Sequence, residues 1–489
     1  MGAAGSVADV TDSTPRPAAL LAVLLTGQTM ASMDTSIAAV AAPAIRADLA
    51  GPPAVQQLVL AGYTLTFAVL VVTGARLGAR HGYARMFRLG LAGFTVASLA
   101  CGLAPGPVAL VLARAVQGAA GAVLVPQVLS LIQARFAGAA RGRAIGAYSM
   151  VLALGVAAGQ VAGGLLVTLD LAGLTWRSAF LVNVPVGLVL WLVARRVLAG
   201  PPVAPSGEGL DVPGVALLSA AMLALVLPLV LGRDLGWPGA AQAVAVAAGA
   251  VGLGLFVGYE TRRARRGRDP LLDVAVLRRP GVAAGLLACC VVMGCYAGFL
   301  FVLTLRLQDG LGFTALAAGL AFLPYASGFA LCGLAVPRLP ERIRGLLPVV
   351  GPLVLAAVVA VLAWTSRDGW PWPAGSGLLL AGGAAHAAAF SPLVGRLTGI
   401  VPVASAAALS ALVSTGTLLA AVLGVTAIGG LHLALAAAGR SAAALSVPPA
   451  ALTAALLVTG ALAAHRALRP PPAPPRVEHQ PVAAPRVSG

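Results

Sequence analysis

Runs of about twenty mostly apolar residues recur along this chain, separated by short polar or Gly/Pro-rich stretches, and no other feature limits the fold so tightly. A helix satisfies its own backbone hydrogen bonds while rising about 1.5 Å per residue, so each run can cross the roughly 30 Å hydrocarbon core of a bilayer. Fourteen such spans are predicted, beginning near Ala18, Gln56, Met86, Val108, Ala144, Ala179, Val212, Ala240, Gly281, Thr314, Gly345, Gly377, Ala404 and Val447. Aromatic or β-branched residues rarely alternate with period two, which argues against a transmembrane barrel. The expected class is an all-α membrane protein. Composition agrees: 59% of the 489 residues are hydrophobic and 10% are charged, against roughly a quarter charged in soluble domains.

A net charge of +17 would suggest a nucleic-acid partner in a soluble chain. Fourteen spans with the N-terminus inside place most of the arginines in cytoplasmic segments, the positive-inside distribution of a membrane protein. The cluster "RRARRGR" at Arg262 to Arg268 then faces anionic headgroups, so the expected partner is the lipid bilayer, with no nucleic acid. All 32 cations are arginine. A P-loop needs a lysine to reach the β- and γ-phosphates, so no ATPase domain of that type is expected. Cys101, Cys289, Cys290, Cys295 and Cys332 lie in or beside apolar runs and read as small buried hydrophobes, without disulfide or metal spacing. No metal or cofactor is expected. The N-terminus lacks a basic region and cleavage site, so the first run is expected to stay as an uncleaved span.

The loop sequence "RLGAR" at Arg76 to Arg80 returns as "RLPER" at Arg338 to Arg342, and the same offset carries the first run onto the ninth near Gly281. The expected organisation is 6 + 2 + 6: a polar tail at 1–17, a six-helix half at 18–199, a linker at 200–280 with two extra spans and a basic loop, a second six-helix half at 281–466, and a disordered Pro-rich tail at 467–489. Parallel halves related by an axis along the membrane normal build rocking transporters, whose site lies at the interface between them.

Asp34 is the acid that falls well inside a span. A carboxylate in hydrocarbon must face a bundle interior or wet cavity and either find a partner or take up a proton. It is read as a proton-coupling residue or as a structural acid bonded to Thr35 or Ser36. Its expected partner is Arg114, which shares a helical stripe with Gln117 and Gly121 in "LARAVQGAAGAVLVPQ"; alternatively Arg114 reaches the headgroups. His386, among small residues in "GGAAHAAAF", is a further proton candidate or a packed neutral imidazole. Tyr63, Gln117, Asn183, Tyr296 and Tyr325 are polar groups within spans, available either to a substrate cavity or to helix contacts. Gly155, Gly159 and Gly163 form a flat helix face that packs tightly or lets helices slide. Arg76, Arg80 and Arg85 in "GARLGARHGYAR" retain the chain on the inside or help to gate it.

These stretches together resemble the fourteen-helix drug/proton antiporters of the major facilitator superfamily, over about Ala18 to Arg466. "MDTSIAAVAAPAI" is similar to the first-helix motif and "RAVQGAAGAVLVPQ" to the fourth-helix signature; "WRSAFLVNVPVG" and "LQDGLGFTALAAGLAFLP" extend the likeness. The resemblance implies a major facilitator fold and export of small hydrophobic or amphipathic drug-like or antibiotic compounds from a bacterium. It implies the cytoplasmic membrane as the location, both termini inside, and the proton gradient as the driving force. Two positions depart from the family. Ala79 replaces the loop Asp that helps latch the halves, although Glu341 holds the equivalent place in the second half. Gln160 replaces the proline after Gly159, so the fifth helix is expected to bend less. Proton-linked import of a metabolite is the alternative, disfavoured because the spans carry few fixed polar side chains. A membrane-embedded enzyme or sensor is more remote, since no HExxH, GxSxG or His/Asp cluster occurs in the spans.

Overall fold

The computed structural model describes residues 17–49, 54–170, 173–198, 211–232, 235–268, 270–367, 369–401, 406–440 and 442–468. The N-terminal tail before Pro17, the linker at 199–210 and the Pro-rich tail from Arg469 lie outside the described residues. Among the described residues all regular structure is helical: α1 (Pro17–Leu49), α2 (Ala54–His81), α3 (Tyr83–Gly102), α4 (Pro107–Arg135), α5 (Gly138–Leu169), α6 (Arg177–Leu181), α7 (Asn183–Val197), α8 (Val212–Leu231), α9 (Gly239–Arg265), α10 (Val282–Leu305), α11 (Ala315–Ala321), α12 (Leu323–Ala335), α13 (Glu341–Thr365), α14 (Ala374–Ile400), α15 (Ala406–Gly424), α16 (Gly430–Ala437) and α17 (Ala442–Leu468). A π-helical turn at Arg306–Gly310 prolongs α10, and another at Val425–Gly429 joins α15 to α16.

Ten helical stretches among the described residues are long and apolar enough to cross a membrane, and Ala158–Leu169 and Val212–Pro228 are shorter apolar ones. The 33-residue α1 is long enough but carries Gln28 and Asp34 on its buried side, which dilutes its hydropathy. Large aliphatic side chains such as Val108, Leu112 and Val116 on α4 and Val244, Val251 and Leu255 on α9 are exposed. A water-soluble surface would not tolerate such continuous apolar faces, whereas lipid tails solvate them.

Helix pairs inside the bundle meet backbone to backbone, because glycine removes the side chain that would hold them apart. Gly118 of α4 lies on the Tyr63 carbonyl of α2, and Gly383 of α14 lies on the Tyr325 carbonyl of α12. Tyr63 and Tyr325 are separated by the same interval as the two arginine loops. The face of α5 with Gly155, Gly159 and Gly163 packs on α1: a Cβ at Gly159 would stand 2.5 Å from the Met33 carbonyl, and one at Gly163 would stand 2.9 Å from Ile37 Cα. Despite Gly159 and Gly163, α5 runs unbroken for 32 residues. Gln160 leaves the backbone N–H that a proline would remove.

The bundle has two unlike ends. One carries Asp48, paired through its carboxylate with Arg177 Nη1 at 2.6 Å and with Trp176 Nε1 at 2.9 Å. Trp237, Trp364, Trp370 and Trp372 stand in or beside loops at that same end, as interfacial aromatic residues do. There α1 and α5 are sealed against the chain from the end of α10 to α11: Gln308 Nε2 donates to the Val40 carbonyl at 3.1 Å, and Leu316 N donates to Thr168 Oγ1 at 3.1 Å. Gly164 of α5 abuts the Ala315 carbonyl, and Gly319 of α11 abuts the Gln160 carbonyl. The opposite end carries Arg80, Arg85 and, at the end of α9, Arg262, Arg265, Arg266 and Arg268, all exposed, with Arg76 and Arg263 partly covered.

Candidate functional site

Six helices, α1 to α4, α6 and α7, contribute to the surroundings of Asp34. On α1 the buried positions Gly27, Met30, Ala31, Asp34, Ala38, Ala41 and Ile45 follow helical spacing, so the carboxylate points inward with the core stripe. On α4 the buried stripe Leu110, Arg114, Gln117, Gly121 and Leu124 faces it. Asp34 and Arg114 have no solvent exposure at all, which makes their pairing obligatory, since an unpaired buried charge costs several kcal/mol.

The pairing is complete on the carboxylate side. Arg114 Nη1 donates to Asp34 Oδ2 at 2.5 Å. Asp34 Oδ1 accepts from Gln117 Nε2 at 2.8 Å and from Asn183 Nδ2, at the start of α7, at 3.0 Å. Arg114 also donates through Nε to the Val59 carbonyl at 3.1 Å and through Nη1 to Gln117 Oε1 at 2.7 Å. Its guanidinium carbon lies 4.5 Å from the Tyr63 ring centroid and 5.5 Å from that of Phe180. Gln117 Nε2 further donates to Ser98 Oγ at 2.8 Å, which brings in α3. Thus Tyr63, Gln117 and Asn183 all belong to the shell of the Asp34–Arg114 pair. Thr35 and Ser36, the hydroxyl alternatives, do not bond to the carboxylate; the side chains that do are on other helices.

His386 sits on α14, buried within an aromatic box. Tyr325 Oη and His386 Nδ1 are 3.0 Å apart, and the Tyr296 and Phe329 ring centroids lie 4.7 Å and 4.9 Å from the imidazole. Tyr296 stacks on Tyr325 at 5.6 Å. The imidazole Nε2 has no hydrogen-bond partner. The polar groups singled out in the sequence therefore sort into two clusters: an ionic one on Asp34 and an aromatic one on His386. Such a box stacks planar rings and attracts cations through its π faces.

The other residues fall at the seams. Gly155, Gly159 and Gly163 flank Asp34, because they pack on Ser32, Met33, Ser36 and Ile37 of α1. Arg76 donates to the Pro270 carbonyl and so ties the end of α2 to the chain leading into α10. Glu341 begins α13, is exposed, and forms no ion pair among the described residues. Sequence reasoning passed over Ser98, the Val59 carbonyl and Gly319. Gly319 and Gln308 lie within the quoted stretch "LQDGLGFTALAAGLAFLP", but only their partners on α5 and α1 show why those residue types stand there. Gln160, noted as a departure, is buried at the α5–α11 seam with both amide atoms unpartnered.

The profile of the Major Facilitator Superfamily matches residues 24–425. The chain belongs to the major facilitator superfamily. This is a transporter superfamily rather than an enzyme family, and relatives in it carry matching names. A probable actinorhodin transporter of Streptomyces coelicolor is 42% identical over 308 residues, covering 63% of this chain and 53% of that protein. The cephamycin export protein of Amycolatopsis lactamdurans is 40% identical over 337 residues, 68% of each chain. A tetracenomycin C resistance and export protein of Streptomyces glaucescens is 34% identical over 327 residues, 66% of this chain and 59% of that protein. The chain thus spans between about half and two thirds of the length of these relatives. Among solved structures, a peptide transporter POT in complex with sulfate superposes with TM-score 0.65 at 15% identity, over 92% of this chain and 94% of that one. An inward-facing bacterial homologue of the lysosomal transporter Spinster superposes with TM-score 0.59 at 17% identity, over 95% and 97%. At such identities the likeness extends to the major facilitator fold alone.

Proposed function

We propose that this chain exports small hydrophobic or amphipathic antibiotic-like compounds across a bacterial cytoplasmic membrane in exchange for protons. The observation that carries the reading is the sequestered Asp34–Arg114 pair with its three amide and guanidinium donors. In this reading the chain is a fourteen-span 6 + 2 + 6 transporter with both termini inside, so that the arginine-rich end faces the cytoplasm and the tryptophan-rich, sealed end faces out. Support comes from the names of the relatives and from the asymmetry of charge.

Ionised Asp34 holds α1 to α4 and α7 through charge-assisted hydrogen bonds, each stronger than a neutral one. Protonation removes the charge that Arg114 answers and weakens the bonds from Gln117 and Asn183. The glycine face of α5 lets α1 shift beside it. With no exposure, Asp34 exchanges its proton only after the sealed end parts, which ties proton entry to opening. One charge moving through 100 mV of membrane potential supplies about 2.3 kcal/mol, a roughly fiftyfold bias between two states. The aromatic box around His386 provides a stacking surface for the cargo, and the unpartnered Gln160 amide provides a hydrogen-bonding group at the seam.

The test is a resistance screen in a drug-sensitive bacterium, followed by flux of the protective compounds in inside-out vesicles. Uptake into such vesicles under an imposed pH gradient, abolished by an uncoupler, is the expected result. Flux in the opposite direction would replace export by proton-linked import, and flux indifferent to the uncoupler would remove proton coupling.

A further inference from the structure

A second pair of acids, unused by the transport reading, lies between α8, α9 and the segment leading into α10. Asp211 caps α8, accepting from Gly214 N at 3.1 Å. Glu260, near the end of α9, accepts through Oε2 from Leu272 N at 3.1 Å. Neither residue has any solvent exposure. Asp211 Oδ1 also accepts from Tyr259 Oη at 2.9 Å. Arg263 Nε stands 3.3 Å from Asp211 Oδ2, and Arg263 Nη1 donates to Tyr259 Oη at 3.3 Å.

The remaining two carboxyl oxygens, Asp211 Oδ2 and Glu260 Oε1, are buried and accept no hydrogen bond. They converge over Gly214: a Cβ there would stand 2.5 Å from the first and 2.7 Å from the second. The two carboxyls are within hydrogen-bonding reach of each other. Two carboxylates placed so repel one another, and the one guanidinium paired with them among the described residues leaves a net buried negative charge. A single shared proton removes the excess and places a hydrogen bond between the two oxygens, one as donor and the other as acceptor.

We infer that Asp211 and Glu260 form a proton-binding site that clasps the α8–α9 pair to the segment at 270–278. That segment is held at successive points: Arg76 of α2 binds the Pro270 carbonyl, Glu260 binds the Leu272 amide, and Asp273 caps the turn Val274–Arg278 that precedes α10. The site therefore links the extra helix pair to α2 on one side and to the start of the second repeat on the other. The charged and titratable groups around it are Tyr259, Arg262, Arg263 and Arg266 from α9 and the turn after it, Arg268 and Asp273 from the segment, and Arg76 from α2; α8 itself contributes none beyond its cap. With the proton in place the clasp is closed. Its loss drives the carboxylates apart and frees the Leu272 amide. This inference goes beyond the export reading and does not depend on it.

The test uses the full chain in lipid nanodiscs in an Asp34→Asn background, so that Asp34 contributes no titration. Two readouts are followed across pH: the infrared carbonyl band of a protonated carboxyl, and hydrogen exchange of the peptide containing Leu272, corrected for its intrinsic pH dependence. The band is expected to disappear as pH rises, with exchange accelerating roughly tenfold, the effect of about 1.4 kcal/mol. Glu260→Gln, which retains a donor without charge, is expected to hold protection at every pH and to remove the band; Glu260→Ala is expected to lose protection at every pH. A band absent throughout, protection independent of pH, or protection restored at constant pH by sodium or calcium would each overturn the shared proton, the last in favour of a bound metal cation. None of these readouts involves transport, so failure of the export reading shows separately.

Discussion

At the scale of the residue, Asp34 and Arg114 are buried at no exposure with opposite charges answered by named donors and acceptors. Asp34→Asn keeps the shape of the side chain, and Arg114 retains the Val59 carbonyl, Gln117 and the Tyr63 ring. The variant is expected to reach the membrane folded and to lose proton-driven flux, measured in vesicles with an imposed pH gradient; undiminished flux would remove the proton role. Arg114→Ala leaves a buried carboxylate without its cation, a loss of about 3–5 kcal/mol, read as a lower unfolding temperature and inactivity. Arg114→Lys is expected to restore part of both. An ammonium can meet Asp34 but cannot reproduce the fork that also reaches Val59 and Gln117. The pair was legible in the sequence because a charge inside an apolar run demands a partner, and Arg114 was the cation within a span. Its shell was not legible: Ser98, Val59 and Asn183 meet the pair only through the packing of α2, α3 and α7, and no local pattern encodes that.

At the scale of the element, helix seams made of glycine and carbonyl oxygen cannot yield to an added side chain. Gly319→Val places a branched side chain against the Gln160 carbonyl where α11 meets α5, so the sealed end is expected not to close. Transport should fall at least tenfold while the chain still reaches the membrane. Gly254→Ala is the matched control, since nothing lies within 4 Å of its added carbon; equal loss in both variants would show that the seam has no special role. The Gly155, Gly159 and Gly163 stripe was visible as a spacing, but its partner, the segment of α1 on either side of Asp34, was not. Glycine spacing says that a helix is approached closely without naming which helix approaches. The acids of the extra pair escaped for a related reason. Asp211 stands just before an apolar run and Glu260 near the end of another, where carboxylates ordinarily face water.

At the scale of the whole molecule, the interval between "RLGAR" and "RLPER" also separates Tyr63 and Tyr325, each of which meets a glycine through its carbonyl. The charge asymmetry recurs as an arginine-rich end opposite a tryptophan-rich one. Glu341, noted as the counterpart of the missing loop acid, is exposed without an ion pair, and Arg76 is held by the Pro270 carbonyl instead. Closure of the sealed end is open to direct control. Leu316 N meets Thr168 Oγ1 at 3.1 Å, so the double substitution Thr168→Cys with Leu316→Cys is expected to form a disulfide under mild oxidation that stops transport. Reductant should restore it, and each single variant should be indifferent to oxidant. Oxidation of the double variant without effect on flux would show that this end need not open.

The α5–α11 seam has a consequence for what can pass through it. Where two helices part along glycine and peptide carbonyls, the walls that come into view are mostly backbone, with Gln160 and Thr168 of α5 as hydrogen-bonding side chains among the described residues. On the export proposal, a passage lined in that way would impose little stereochemical choice on a guest and would leave selection to the aromatic surface around His386.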